Sequence, residues 1–383
     1  MGFFKNKIQI NRSEFSGAFG DIGTDLPLII AMLVETDLKS SNVLLIFGIM
    51  QIITAFLYGI PMPVQPLKVV ATIVITQKLS SAVIFGGGLA IGITMLILTL
   101  TGLLTYLEKV IPKTVTRGIQ FGLGLKLALL SLKYYIPNDG FSGYALSIIA
   151  FFSGIVLIGS KKYPPALFII AWGLIYTILF NFGAFNEIKL TPPNFSISEI
   201  TFSNISTGFL LLSLPQIPLS LGNSIIATHQ LVKDYFPEKK ISVKKIGLTY
   251  SLMNIVTPLF GGIPVCHGSG GIAGHYFFGG RTGGSTLIYG SFYLLLGLFF
   301  SSQPLKVFGL FPKPILGVIL LFEGVALILL IKDIIIDKKN LFIAVVVGIL
   351  ANGMRFGFLI GMIVGVLLYY IPNKLILRNF GKE

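Results

Sequence analysis

The chain has 383 residues, of which 54% are hydrophobic and only 11% charged. A soluble domain carries about a quarter charged residues, so this balance excludes water as the main solvent. The net charge of +14 is read from its placement rather than its size, and the lone Cys266 excludes an internal disulfide.

Apolar runs between polar breaks predict an all-α polytopic membrane protein of about fourteen transmembrane segments. They lie near 15–34, 43–60, 62–76, 82–107, 114–132, 140–159, 165–183, 206–230, 244–260, 262–277, 284–300, 314–331, 341–353 and 355–371. The preceding "MGFFKNKIQINR" lacks the apolar region and cleavage site of a secretory signal, and Asn6 breaks the myristoylation pattern. The first span contains "GAFGDIGTDLPLII", with Asp21 and Asp25 four apart and so on one helical face. Such a pair can hold a proton between them; capping or salt-bridging a broken helix start is the alternative.

The third segment, "YGIPMPVQPLKVVAT" (58–72), is too short for a full crossing. Pro61, Pro63 and Pro66 mark extended chain before a helix begins. Lys68 follows Gln65 by about one turn, and a charge at membrane depth needs a cavity or a partner. It contacts an anion, snorkels to the interface, or pairs with Asp21 or Asp25. In the eighth span, "SLPQIPLSLGNSIIATH" places Gln216, Ser220, Asn223 and Ser224 on one stripe. That neutral, donor-rich set suits an oxyanion, although such stripes also bond helix to helix. The tenth segment, "GIPVCHGSGGIAGH" (262–275), repeats the pattern of the third: Pro264, then glycine-rich backbone through Gly268, Gly270 and Gly271. His267 reads as the functional histidine, His229 and His275 as interfacial. Lys126 and Glu323, in the fifth and twelfth spans, read as structural or gating charges.

The two halves resemble each other weakly. Gly59, Ile60 and Pro61 match Gly262, Ile263 and Pro264; Pro112, Lys113 and Gly124 match Pro312, Lys313 and Gly324. Seven spans per half is an odd number, so the second half runs inverted, as in secondary transporters with a site where broken helices meet. The polar stretch 184–205 holds the linker between halves. Lys and Arg concentrate on the side of both termini, including Lys5, Lys161, Lys162, Lys374, Arg378 and Lys382, against few on the other, such as Lys306. Both termini are therefore expected in the cytoplasm. The basic charge then belongs to topology and surface lipid, with no nucleic acid required.

Two short helices starting inside the bilayer would expose N–H groups and the positive ends of their dipoles, an anion site made of backbone. Glycine lets a ligand approach; close helix packing is the competing use of the same residues. An enzyme is not expected. Cys266, His267 and His275 are too few and poorly spaced for zinc, and no HExxH or Walker A motif occurs.

"GAFGDIGTDLPL", "PMPVQPLKVVAT", "QIPLSLGNSIIATHQL" and "GGIPVCHGSGGIAGHYFFGGRTGGS" together resemble the molybdate transporter family, a branch of the sulfate permease superfamily. The resemblance implies the uracil-permease-type fold, with half-helices in spans 3 and 10. It also implies a core domain of 1–108 and 203–306, a gate domain of 109–184 and 307–373, and an extracytoplasmic linker at 185–202. A homodimer fits this fold. The chain stops soon after its last span, without the cytoplasmic regulatory domain of typical sulfate permeases, which favours the molybdate branch. Substrate contacts carried over are Gln65, Lys68, Gln216, Asn223, His267, Gly268, Ser269, Gly270 and Gly271. The implied substrate is molybdate, with sulfate or tungstate as alternatives; no cofactor is implied. A nucleobase symporter on the same fold and an anion channel are the competing classes.

Moving a dianion inward against about 100 mV costs roughly 4.6 kcal/mol. That corresponds to ~2,000-fold depletion at equilibrium, so symport with protons is expected, with Asp21 or Asp25 as carrier.

Overall fold

The computed structural model describes residues 7–300 apart from 159, 161, 162, 164, 181, 184–188, 196 and 198, together with 303, 312–354 and 356–372. Lys5, Lys161, Lys162, Lys306, Lys374, Arg378 and Lys382, used above to orient the chain, lie outside the described residues, as does part of the 185–202 linker. The protein is an all-α polytopic membrane protein. Among the described residues, five helices are long and apolar enough to cross a bilayer, or six if one bent pair counts as a span.

The bent pair is the predicted first span. Asn11 caps α1 (Arg12–Ala18) by accepting from the Glu14 amide, and α2 (Ile22–Glu35) leaves it at 41°. The break falls at Phe19–Asp21, where Gly20 packs directly on the backbone of Gly274. No hydropathy window could register that contact. α3 (Ser40–Tyr58) ends on Gly59 at φ +66, a left-handed cap that glycine adopts without strain. The chain then runs extended through β1 (Gln65–Pro66) into the short α4 (Lys68–Gln77).

The predicted span 82–107 is two helices. α5 (Ser81–Leu100) stops before Gly102 at φ +79, and α6 (Leu103–Val110) follows as a separate short helix. Next come α7 (Lys113–Leu130), a π-helical turn at 131–135, α8 (Gly140–Leu157) and α9 (Pro165–Phe180). The predicted eighth span is continuous but irregular: α10 (Phe202–Gly208), α11 (Leu214–Leu219) and α12 (Thr228–Tyr235) are joined by π-helical stretches. Pro215 and Pro218 have no N–H to give to the ladder, and the hydrogen-bond register widens around them.

The remaining elements are α13 (Val243–Leu259), β2 (Val265–Cys266), α14 (Ser269–Phe277), α15 (Gly283–Phe299), α16 (Lys313–Ile328), α17 (Lys338–Gly353) and α18 (Gly357–Tyr370). Helices approach closely where glycine faces glycine. A Cβ on Gly48 of α3 would lie 2.7 Å from the Gly290 carbonyl of α15, and one on Gly124 of α7 would lie 2.5 Å from the Gly324 carbonyl of α16. The outer faces stay apolar: Phe141, Ile148, Phe152 and Val156 of α8 are all exposed, as a lipid-facing surface requires.

Candidate functional site

β1 and β2 bring the two Pro- and Gly-rich stretches together. They pair antiparallel, Gln65 opposite Cys266 and Pro66 opposite Val265, and the Leu67 amide donates to the Pro264 carbonyl at 3.0 Å. Extended backbone buried this deeply must have its polar groups satisfied. Side-chain amides from neighbouring helices do so. Gln51 of α3 donates to the Val64 carbonyl at 2.7 Å and accepts from the Val64 amide at 2.9 Å. Asn254 of α13 treats Val265 the same way, at 2.6 and 2.9 Å. In the sequence the only signal of either clamp is a side-chain amide in the helix beside each Pro-rich stretch.

The pairing sets the starts of α4 and α14 on either side of one small region, but their amino ends are not alike. Val69 and Val70 amides of α4 donate to Gln216 Oε1 at 2.9 and 3.3 Å. The Gln216 amide donates to Ser220 Oγ at 3.1 Å, which in turn bonds Tyr250. Gln216 therefore caps α4 in this conformation. Among the described residues no side chain caps the amino end of α14, and the Ser269 hydroxyl donates to Asn223 Oδ1 at 2.6 Å.

The motif's glycines are matched to polar neighbours. A Cβ on Gly268 would fall 1.6 Å from Gln65 Oε1, on Gly270 2.4 Å from Glu323 Oε1, and on Gly271 2.5 Å from Asp21 Oδ2. Close packing against these side chains demands glycine at all three positions. Asp21, Asp25, Gln65 and Glu323 have no solvent exposure. Asp21 accepts from the Gln65 amide at 2.7 and 2.8 Å, Asp25 from Tyr289 at 3.2 Å, and Glu323 from Thr24 at 2.8 Å. Asp25 Oδ1, Gln65 Oε1, Glu323 Oε1 and Lys68 Nζ are buried without a hydrogen-bond partner. Lys68 attracts all three carboxylates electrostatically yet makes no ion pair with any of them among the described residues.

His267 is fully buried and braces the crossing. Its Nδ1 lies 3.2 Å from the Pro63 carbonyl and its Nε2 3.0 Å from Thr249 Oγ1. Pro63 can only accept, so Nδ1 carries the proton there. His229 and His275, read from the sequence as interfacial, are both buried in protein. His275 is fully buried against Ser285 and Tyr289, and His229 is 5% exposed and bonded to Glu108 at 3.1 Å. Both face protein because α12 and α14 pack inward where their sequence ends looked terminal.

A cavity of about 590 Å³ lies beside these residues, lined by Thr24, Lys68, Lys126, Pro215 and Leu320. It reaches the surface among Leu130, Leu210, Met354 and Phe356, all exposed. The other end of α7 is closed. There Arg117, 2% exposed, pairs with Asp333 at 2.5 Å and with Asp234 of α12 at 2.7 Å, and Lys113 joins Asp333 at 2.6 Å.

Comparison with known proteins decides the lineage. The family described as "Molybdate transporter of MFS superfamily" matches residues 13–127 and 208–327. "Molybdate transporter 2" of Arabidopsis thaliana is 32% identical over 419 residues, spanning 96% of this chain and 90% of that protein. The chain belongs to the molybdate transporter family. A second Arabidopsis relative, "Molybdate transporter 1", is 31% identical over 99% of this chain and 90% of its own length. Its namesake in Chlamydomonas reinhardtii is 24% identical over 93% of this chain and 91% of its own.

Solved structures establish the fold that this molybdate transporter family member adopts. The transmembrane domain of a cyanobacterium bicarbonate transporter, BicA, superposes with a TM-score of 0.57 at 17% identity, covering 96% of this chain and 99% of that one. SLC26A9 gives 0.58 at 13% identity over 93% of this chain and 65% of that one.

Proposed function

We propose that this chain is a secondary transporter importing a tetrahedral oxyanion, molybdate first, by alternating access. The observation that carries the reading is the antiparallel crossing of β1 and β2. It sets the amino end of α14, where Ser269 bonds Asn223, across from the start of α4, whose Lys68 lines a cavity that reaches the surface. The molybdate transporters to which the chain is related supply the substrate. Gln65, Gln216 and His267 act in this reading as supports that fix the two short helices. Gly268, Ser269, Gly270 and Gly271 give the anion their backbone, and Lys68 and Asn223 give side chains.

The inverted repeat is supported by more than the Gly and Pro matches. The clamps Gln51 and Asn254 stand 203 positions apart, and each holds the valine four residues before the start of its short helix in the same two-bond manner. We read about fourteen segments in two inverted halves, with spans 3 and 10 as half-helices. The core domain is 1–108 with 203–306, the gate domain 109–184 with 307–373, and the linker 185–202. With both termini cytoplasmic, the cavity mouth faces outward, and the Arg117, Asp234 and Asp333 cluster is the inner closure between gate and core. It must open before substrate leaves. Symport with protons supplies the driving force, the buried acids being the carriers, and a homodimer is the expected assembly.

Uptake into proteoliposomes tests this. Molybdate accumulation should follow an inward proton gradient and be competed by tungstate and, more weakly, by sulfate. Full uptake without any ion gradient or pH dependence would reject the coupling. A conductance that does not saturate would favour a channel.

A further inference from the structure

Three buried carboxylates border the site, and one of them comes from outside the proposed core. Glu323 belongs to α16, yet its Oε1 is aimed at Gly270 in the first turn of α14, where a Cβ would meet it at 2.4 Å. That oxygen is buried without a hydrogen-bond partner, while the other accepts from Thr24 of α2 at 2.8 Å. Asp21 and Asp25 are placed differently: Asp21 is engaged twice by Gln65, and Asp25 faces Tyr289 on α15. Asp21 Oδ2 borders the same turn at Gly271, but both Asp21 oxygens accept from Gln65, so it is Glu323 that brings an unpartnered carboxylate oxygen to the amino end of α14.

We propose that Glu323 is the proton-carrying group that governs anion binding: its carboxyl must take up a proton from the cavity before a dianion can occupy the amino end of α14 beside it. The inference rests on the oxyanion reading above and deepens it. An ionised Glu323 and a dianion would place like charges at one helix end, where only the protonated carboxyl can also turn donor toward an anion oxygen. Because Glu323 rides on α16 and its neighbours Thr24 and Gly270 ride on α2 and α14, movement of gate against core separates the acid from the anion. The proton and the dianion then leave together, each proton reaching water on the side where the anion is released.

The charges around Glu323 leave that role to it. From α2 come Asp21 and Asp25, and from α4 Lys68, all acting on it electrostatically. α7 meets it through Gly124 against Gly324, with Lys126 lining the cavity. From α14 the titratable His275 turns away to Ser285. On the 131–139 turn, Asp139 lies by Pro314, more than two turns along α16, and Lys133 is exposed. α8 and α9 bring Phe151, stacked on Phe322, and no charged residue.

Calorimetric titration of sodium molybdate into the full-length protein in lipid nanodiscs tests the assignment. Repeating it in buffers of different ionisation enthalpy, from about pH 6 to about pH 8.5, counts the protons bound with each anion. The wild type should lose about tenfold in affinity per pH unit per linked proton on the alkaline side. Glu323→Gln should bind molybdate with about one proton fewer and a correspondingly flatter pH profile. Thr24→Val removes the hydrogen bond that favours the ionised form, so its affinity should hold to higher pH than the wild type's. An unchanged proton count in Glu323→Gln, or an unmoved pH profile in Thr24→Val, overturns the role of Glu323 while leaving the oxyanion reading intact. Failure of the wild-type protein to bind molybdate, tungstate or sulfate at any pH overturns both.

Discussion

Substituting Gly268→Ala probes the crossing at its tightest point. Gly268 has φ −116 and ψ 139, ordinary extended backbone, so alanine meets no conformational strain there. The cost is steric alone. The new methyl would lie 1.6 Å from Gln65 Oε1, and Gln65 cannot simply retreat because its amide is held by Asp21 at 2.7 and 2.8 Å. Either Gln65 releases a fully buried Asp21 or the β1–β2 pair opens. A buried hydrogen bond contributes about 0.5–1.5 kcal/mol, equivalent to roughly 2- to 13-fold in binding if the loss falls on the binding-competent state. Calorimetric molybdate affinity and the thermal unfolding midpoint should both fall. Gly353→Ala, whose Cβ meets nothing within 4 Å, is the control and should change neither. Wild-type affinity and stability in Gly268→Ala would refute the packing argument.

Lys68→Met should weaken molybdate binding by at least about tenfold, since it removes the buried ammonium that lines the cavity; calorimetry with unchanged affinity would argue against contact. Arg117→Met should leave Asp234 and Asp333 facing each other and loosen the closed end. Labelling of a cysteine introduced at Gln120 in a Cys266→Ser background should then quicken relative to the same cysteine with Arg117 intact. Outside the bilayer, Asp37 is opposed by partial burial, but bonds from the Ser81 amide and hydroxyl outweigh it and hold its carboxyl below the usual range. Its support for the start of α5 is therefore complete above the unfolded-state value near 4 and is lost as pH falls through the lower folded value. The protection factor of the Ser81 amide should be constant around neutral pH and fall only in acid, and Asp37→Asn should remove that acid dependence.

Much of this arrangement was legible because proline and glycine act locally. Pro61, Pro63, Pro66 and Pro264 cannot continue a helix, so the two extended stretches and the short helices after them followed from residue type. Lys68 stood out because a charge at that depth needs a reason. Partners across the fold were not legible. A helical stripe showed that Gln216 and Asn223 share a face, but not that Gln216 would cap α4 while Asn223 received Ser269. Gln51 and Asn254 carry no periodic signal at all, since a single amide among apolar residues marks no particular acceptor. The break at Phe19–Asp21 falls at Gly20 and Asp21, which the sequence could flag, but the packing of Gly20 on the backbone of Gly274, some 250 residues away, is a tertiary fact. Glu323 looked like a gating charge because its proximity to Gly270 is a tertiary fact.

Locating the bound anion is the most direct trial of the account. In a crystal or electron-microscopy structure of the molybdate-soaked protein, molybdenum density, by anomalous scattering where crystals allow, should lie within hydrogen-bonding reach of the Ser269 and Gly270 amides and near Lys68 Nζ. Molybdenum density only at the protein surface, or in the cavity but remote from the start of α14, would contradict it.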